Sequence, residues 1–380
     1  MKLLIASHAA VLGVNRALFQ CLAAQTDWDV RMIVPQTWRG DLIRELRFAP
    51  VPGDAGIRIH PLPVLGGGNG SLFVYARDPH RVLRDWTPEL VFVDEEPWSL
   101  AAAQLYRSFA GIPRVFYTKQ NLRKRLPPPF SLLQKWIFRQ SRDAFSVASE
   151  VSEVLRWKGF PGRIHELPHS YDPLGFAPAA AEIRRKRRRY WGIPENATVV
   201  AYFGRVTEEK GIEEFLAASR QLAATSGADL FFWIVGNGPL REQLVPWRSD
   251  LSPARSGVHD AIPHDRVGEA LSAVDILVLP SRTTPRWKEQ FGRILIEAMA
   301  SNAAVIGSDS GEIPRLIQRT QGGLVFPEGD AVALAERIQY LATDSVALAK
   351  FRQQGRESAE RSFSHAAVAR LLENLLSQST

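Results

Sequence analysis

The sequence predicts an α/β protein made of two doubly wound, parallel-sheet domains in tandem. Three observations carry this. Short apolar runs alternate with amphipathic segments through both halves of the 380 residues. The strand-like runs are continuously apolar, as strands covered on both faces must be, and do not alternate. The pattern breaks once, near residues 172–195, and the length favours two domains over one.

In the first half the strand-like runs are Leu3–Ala6, Val30–Val34, Leu90–Val93, Arg114–Tyr117 and Ala144–Ala148. Helical segments such as Leu100–Phe109 and Glu150–Lys158 separate several of them. In the second half the runs are Thr198–Phe203, Leu230–Val235, Ile276–Leu279 and Ala303–Gly307, with helices expected over Glu213–Ala224, Pro239–Val245 and Phe291–Ala300. At the break, Asp172-Pro173, Pro178 and a run of alanines lead into the basic stretch Arg184–Arg189, then Gly192 and Pro194. These signals set domains at 1–175 and 192–360, with a closing helix in 361–380 expected to pack back towards the first domain. Val332–Leu341 and Ala366–Leu376 read as amphipathic helices. In such folds ligands sit beyond the carboxyl ends of the strands.

Hydrophobic residues make up 45% and charged residues 23%, ordinary for a globular chain. No apolar run approaches the roughly 20 residues that span a bilayer. Leu3 to Val14 could pass for a signal peptide, but His8 interrupts it, no cleavage site follows, and Lys2–Ala6 reads as a buried strand. Cys21 is the single cysteine, so no intrachain disulfide can form, which fits a cytoplasmic setting. The net charge is +7, of which residues 1–180 carry +6 and residues 181–380 only +1. A basic first half points to something anionic: a membrane surface, a phosphorylated lipid or nucleic acid.

The chemistry-bearing residues gather in the second half. The run ending at Phe203 delivers Gly204-Arg205, with Lys210-Gly211 one short loop later. Arg offers a planar fork and Lys a point charge, which suits a diphosphate. Gly236-Asn237-Gly238-Pro239 closes the next strand, where glycine lets a ligand approach the backbone. Glu289 precedes the helix after Gln290-Phe291-Gly292-Arg293, and Glu297 lies eight residues on, about two turns inside it. Backbone amides at Phe291–Arg293 stand at a helix N-terminus, suited to an anion or hydroxyls. A carboxylate in that apolar helix needs a partner when buried, and a ribose diol would serve. Ser310-Gly311-Glu312-Ile313-Pro314 reads as a loop feeding a short helix.

On these residues the segment Val199–Pro327 resembles the donor-binding domain of family 4 retaining glycosyltransferases (glycosyl transferases group 1), and the likeness extends more loosely over the whole chain. Phe92-Val93-Asp94-Glu95-Glu96-Pro97-Trp98 and Leu167-Pro168-His169-Ser170-Tyr171-Asp172 sit where the family has similar stretches. The resemblance implies a GT-B fold, two Rossmann-like domains facing across a cleft. It implies a nucleotide-diphospho-sugar donor, with Arg205 and Lys210 on the diphosphate and Gly204 and Gly236 beside it. Glu297 would hold the ribose and Glu289 the sugar hydroxyls near the reacting carbon. Backbone amides at Phe291, Gly292 and Arg293 would hold sugar or phosphate. Many members place a histidine where this chain has Gln120. Gln120 can hydrogen-bond a hydroxyl but cannot take a proton, which fits proton transfer to the leaving phosphate oxygen. His8 and His169 are the other histidine candidates. Gly13 matches the family's glycines after the first strand.

No cofactor beyond the donor and no metal is expected, since no ligand-spaced cluster is present. The acceptor is expected on the first domain: a glycan or lipid-linked glycan of cell-surface polysaccharide. Lys119–Arg142 interleaves seven cations with aromatic and aliphatic residues. It reads either as an ordinary packed helix or as a peripheral contact with the inner face of a membrane. Gly66-Gly67-Gly68-Asn69-Gly70 reads as a mobile loop near the cleft. Rival readings are a nucleotide-sugar epimerase of the same fold and, in another class, a nucleic-acid-binding protein using Arg184–Arg189. That run reads more naturally as a solvated interdomain helix. An oxidoreductase is disfavoured, because no Gly-x-Gly-x-x-Gly follows a strand.

Overall fold

The computed structural model describes residues 1–40, 45–84 and 86–378. The chain packs into two compact units: Met1–Pro168 together with His365–Thr380, and His169–Ser364.

The first unit is built on seven strands: β1 (Lys2–Ser7), β2 (Asp29–Pro35), β3 (Arg58–Leu62), β4 (Leu90–Asp94), β5 (Arg114–Thr118), β6 (Asp143–Ser146) and β7 (Arg163–Glu166). Their order is β7-β6-β5-β4-β1-β2-β3, all parallel. The chain runs outward from β1 to β3, then returns to the other side of β1 with β4. The order therefore reverses between β1 and β4, a topological switch point. Leu3–Ala6 and Leu90–Val93 lie wholly inside, which explains their unbroken apolar sequence. The helix His365–Ser377 packs on the helix Ala17–Gln25 of this unit.

The second unit repeats the plan with six strands: β8 (Thr198–Phe203), β9 (Leu230–Val235), β10 (Ser256–His259), β11 (Ile276–Leu279), β12 (Ala304–Ser308) and β13 (Gly323–Phe326). The order is β10-β9-β8-β11-β12-β13, again parallel, with the reversal between β8 and β11. One face of the sheet is covered by the helix Ile212–Thr225 and the helix Ala331–Thr343. The wholly buried Trp247 packs there too, and its indole N–H donates to Ser219 Oγ at 2.7 Å, so its burial strands no donor.

Every strand of the two large sheets that is absent from the sequence reading is a sheet edge: β3, β7, β10 and β13. Edge strands are half-solvated, and β3 and β7 carry Arg58, His60, Arg163 and Glu166, so no continuous apolar run marks those two, while β13 is only four residues long. Two helix positions also need correction. The segment from Pro239 forms a turn and a short 3-10 piece, and the α-helix runs Leu244–Leu251. The helix placed at Phe291 begins at Arg293, after Gly292 in the left-handed region, so Glu297 lies one turn inside it rather than two.

The basic run is not a solvated helix. Within the helix Ala181–Tyr190, Arg184 and Arg188 both reach Asp275, at 2.7 and 2.6 Å, and Arg188 also donates to the carbonyls of Glu195 and Ala197. Asp275 in turn accepts from Val199 N at 2.9 Å, which ties the helix to the start of β8. Burial lowers the Arg184 guanidinium to about 10, with Asp275 acting against it. Arg187 donates to Ser272 Oγ, leaving Arg185, Lys186 and Arg189 on the outer face.

In the Lys119–Arg142 stretch, the helix Phe130–Gln140 sends Ile137 and Phe138 into the core of the first unit. Its apolar side is thereby largely occupied. Leu132 stays exposed, as do Lys135 and Arg139. No helix among the described residues is long and apolar enough to cross a membrane.

Candidate active site

In the second unit the loops that follow β8 and β11 meet at the switch point. After β8 the chain runs through Gly204 and Arg205 to a 3-10 turn, Glu208–Lys210, closed by Gly211. After β11 it runs through Ser281 to Glu289. Lys210 Nζ lies 2.7 Å from Glu289 Oε2, and Ser281 Oγ donates to the same oxygen at 3.0 Å. The ammonium also stands 4.4 Å from the Trp287 ring centroid. The side chains are 18% and 11% exposed, so the pair is reachable yet held in surroundings that strengthen charge.

The backbone makes this approach possible. Gly211 has φ +65, and a Cβ there would lie 1.7 Å from Pro280 O. Gly311 has φ +59, and a Cβ would fall 2.0 Å from Glu289 O. Only glycine lets the β8 loop close on Pro280 and the loop after β12 close on Glu289. Arg282 adds a clamp: its N–H donates to Glu209 O, and its guanidinium pairs with Glu213 and Glu214.

Arg205 is 47% exposed and pairs loosely with Glu209 at 3.2 Å, so its fork remains open to a ligand. Its neighbour Gly204 donates to Val235 O at the end of β9, and Val206 N donates to Asn237 O. The Arg205 loop and the Gly236-Asn237-Gly238 turn are thus stitched side by side at two adjacent strand ends. Arg241 holds that turn through Gly236 O and Asn237 Oδ1.

Glu297 is 4% exposed, and its Oε1 lies 3.1 Å from His264 Nε2 and 2.9 Å from Arg293 Nε. The partner that burial demands is therefore present in the protein, and burial alone does not call for a ribose. Phe291 is buried, edge-on to His169 at 5.4 Å and to Phe363 at 5.9 Å. Gly292 precedes the helix N-terminus with φ +83 and no side-chain cap.

Gln120 and Gly13 belong to the first unit. Gln120 Oε1 accepts from Leu122 N at 3.2 Å, and Gln120 N donates to Thr118 Oγ1. Gly13 opens a 3-10 turn against Val51. The sequence offered His8 as a candidate and Asp94-Glu95-Glu96 as a family-like stretch, but not the polar network they form at the carboxyl ends of β1, β4 and β5. Ser7 donates to Asp94, Lys119 Nζ pairs with Asp94 at 2.6 Å, and Glu96 accepts from Thr118 Oγ1 and Lys119 N. His8 Nδ1 lies 2.6 Å from Glu95 Oε2, and His8 N donates to Glu95 Oε1 at 2.7 Å. Burial would lower the His8 pKa, but the Glu95 carboxylate outweighs it and holds it above the ordinary value. Burial raises the Glu95 carboxyl, with His8 opposing. The run Asp94-Glu95-Glu96 at a strand end was the available signal. In the second unit Ser281, Trp287 and His264 were missed for want of any local motif.

The chain is similar to known proteins. Residues 183–358 match the family model described as glycosyl transferases group 1. The alpha-maltose-1-phosphate synthase of Mycolicibacterium smegmatis is 27% identical over 341 residues, covering 84% of this chain and 86% of that protein. The chain is a glycosyltransferase, and its residues 183–358 form a group 1 domain. A second relative, the 2-deoxystreptamine glucosyltransferase of Streptomyces kanamyceticus, is 24% identical over 338 residues, covering 83% of this chain and 84% of that one. Among solved structures, an Anabaena protein in complex with UDP-glucose matches with a TM-score of 0.73 at 16% identity over the full length of both chains. The glycosyltransferase thus has the GT-B fold, and both doubly wound sheets described above belong to it.

Proposed function

We propose that this glycosyltransferase moves a sugar, with retention of configuration as in family 4, from a nucleotide-diphospho-sugar bound by the second unit. The observation that carries the reading is the Lys210–Glu289 pair at the switch point between β8 and β11, the position where doubly wound sheets bind ligands. Lys210 and Arg205 hold the diphosphate. Glu289, fixed by Lys210 and Ser281, accepts hydrogen bonds from the sugar hydroxyls. Glu297, fixed by His264 and Arg293, faces the ribose, and the amides from Phe291 to Arg293 meet sugar or phosphate. The two cations stabilise the charge that develops on the leaving diphosphate, so the chemistry needs no metal. The acceptor binds the first unit. It is a glycan or a lipid-linked glycan, and the exposed Leu132, Lys135 and Arg139 bring the chain to an anionic membrane surface.

One comparison favours a smaller acceptor. The relatives named above are a maltose-1-phosphate synthase and a 2-deoxystreptamine glucosyltransferase, and neither name describes a polymer. Product analysis tests the core reading. Nucleoside diphosphate released only when an acceptor is present supports transfer, and an isomerised sugar nucleotide formed from donor alone, with no net release of nucleoside diphosphate, supports an epimerase. Sedimentation with anionic vesicles at low salt tests the membrane contact, and protein left in the supernatant removes it.

A further inference from the structure

The first unit repeats the topology of the second, and its switch point lies between β1 and β4. Two residues stand at the carboxyl ends of those adjacent strands: His8, just after β1, and Glu95, just after β4. Glu95 is 1% exposed and has its two oxygens on His8 N and His8 Nδ1. A short bond to Nδ1 fixes the ring orientation and leaves Nε2 as the nitrogen facing outward. The ring is further set by Trp38 at 4.7 Å and Phe73 at 5.7 Å, and a Cβ placed on Gly70 would stand 3.9 Å from its Cε1 and 4.0 Å from its Nε2, so the glycine leaves that edge of the ring open. The His8 side chain is still 30% exposed.

A core histidine would be enclosed on every side, and a surface histidine would not have a buried carboxylate devoted to its Nδ1. His8 combines a fixed inner nitrogen with an accessible outer one at a ligand-binding strand edge. The charged groups that face it are Glu95 and Asp94 from the end of β4 and Lys119 from the end of β5. Asp94 holds Lys119 and Glu95 holds His8, so the nearby cation is already matched by a carboxylate, and a neutral hydroxylated ligand suits the site better than an anion.

We propose that His8, oriented by Glu95, is a positioning residue that hydrogen-bonds a hydroxyl of a sugar or cyclitol acceptor through Nε2. This rests on the reading of the first unit as the acceptor side. It involves no proton transfer, because either protonation state of Nε2 can bond a hydroxyl.

The test uses the full chain labelled with 15N at its histidine side chains, with His8 assigned by the signal lost in His8→Gln. Methyl α-D-glucopyranoside and myo-inositol are the probes. The expected result is a saturable shift of His8 Nε2 with at least one probe while Nδ1 stays bonded. In Glu95→Gln the probe Kd should weaken by about ten-fold or more, the loss of an oriented, charge-assisted hydrogen bond. UDP, added separately and read by thermal shift, should stabilise wild type, His8→Gln and Glu95→Gln alike. That arm reports the donor reading alone, so failure there is distinguishable. Absence of a His8 shift with both probes, which the wild-type titration reads without any variant, overturns the proposal. So does an unchanged Kd in a folded Glu95→Gln.

Discussion

Lys210 and Glu289, 79 residues apart in the sequence, meet at 2.7 Å where the second sheet reverses its strand order. Two loops from adjacent strands make this contact, and two glycines permit the close approach: Gly211 in the loop after β8, and Gly311 in the loop after β12, which lies against Glu289 O. If Glu289 holds the transferred sugar, Glu289→Gln keeps the shape and removes the charge. Turnover should fall by about 10²–10³, with a melting temperature close to wild type. Steady-state kinetics with saturating donor, alongside a thermal melt, checks this. Near-normal turnover removes Glu289 from the chemistry.

The loop closure itself can be tested without touching a polar residue. Gly211→Ala places a methyl 1.7 Å from Pro280 O at φ +65 and should cost at least about 1–3 kcal/mol. Gly227→Ala is the control, because nothing lies within 4 Å of where its methyl would stand, and it should be near neutral. Chemical denaturation of both variants separates the two outcomes, and equal stabilities would contradict the close approach.

Asp275 holds the basic helix. It accepts from Arg184, Arg188 and Val199 N, with Arg352 nearby at 3.4 Å. Asp275→Ala leaves two inward-facing guanidinium groups without their carboxylate and should destabilise by about 3–5 kcal/mol. Lys186→Ala, on the exposed face, should change stability by less than about 0.5 kcal/mol. Urea unfolding measures both. A mild effect at Asp275 would mean that the arginines find water instead, as a solvated helix would.

Asp143, between Arg163 at 2.7 Å and His165 at 2.8 Å, provides the pH test. Burial raises its carboxyl, but the bonds from Arg163 and His165 prevail and hold it below the ordinary aspartate value. The folded pKa is thus lower than the unfolded value of about 3.9. Its contribution is fully present above about pH 4 and is lost as the pH falls through the folded pKa. Asp143→Asn should therefore lower the melting temperature at pH 7, with the gap to wild type closing in acid. A gap that stays constant from pH 7 to acid would contradict the assignment.

Much of this protein was legible before its structure. The central strands announced themselves because both faces are buried and their sequences are uniformly apolar. The four edge strands did not, since β3 and β7 carry arginine and histidine in half-solvated positions. Lys210 and Glu289 were visible as residue types at strand-end loops, and the structure brings them together. Glu297 was visible too, but His264 was not, because it arrives from the start of a different helix, 33 residues away. The His8–Glu95 contact spans 87 residues and depends on β4 returning beside β1, a matter of strand order that periodicity does not encode. Arg184 and Arg188 looked like solvated charge because composition reveals a basic run and not the buried Asp275 that receives it.

The central claim is that the second unit binds a nucleotide-sugar through Lys210. The most direct measurement is a thermal-shift series with UDP-, GDP-, ADP- and dTDP-sugars on wild type and Lys210→Ala. One nucleotide class should raise the wild-type melting temperature, and that rise should be largely lost in the folded variant. No stabilisation of wild type by any of the four, or an equal rise in Lys210→Ala, would contradict it.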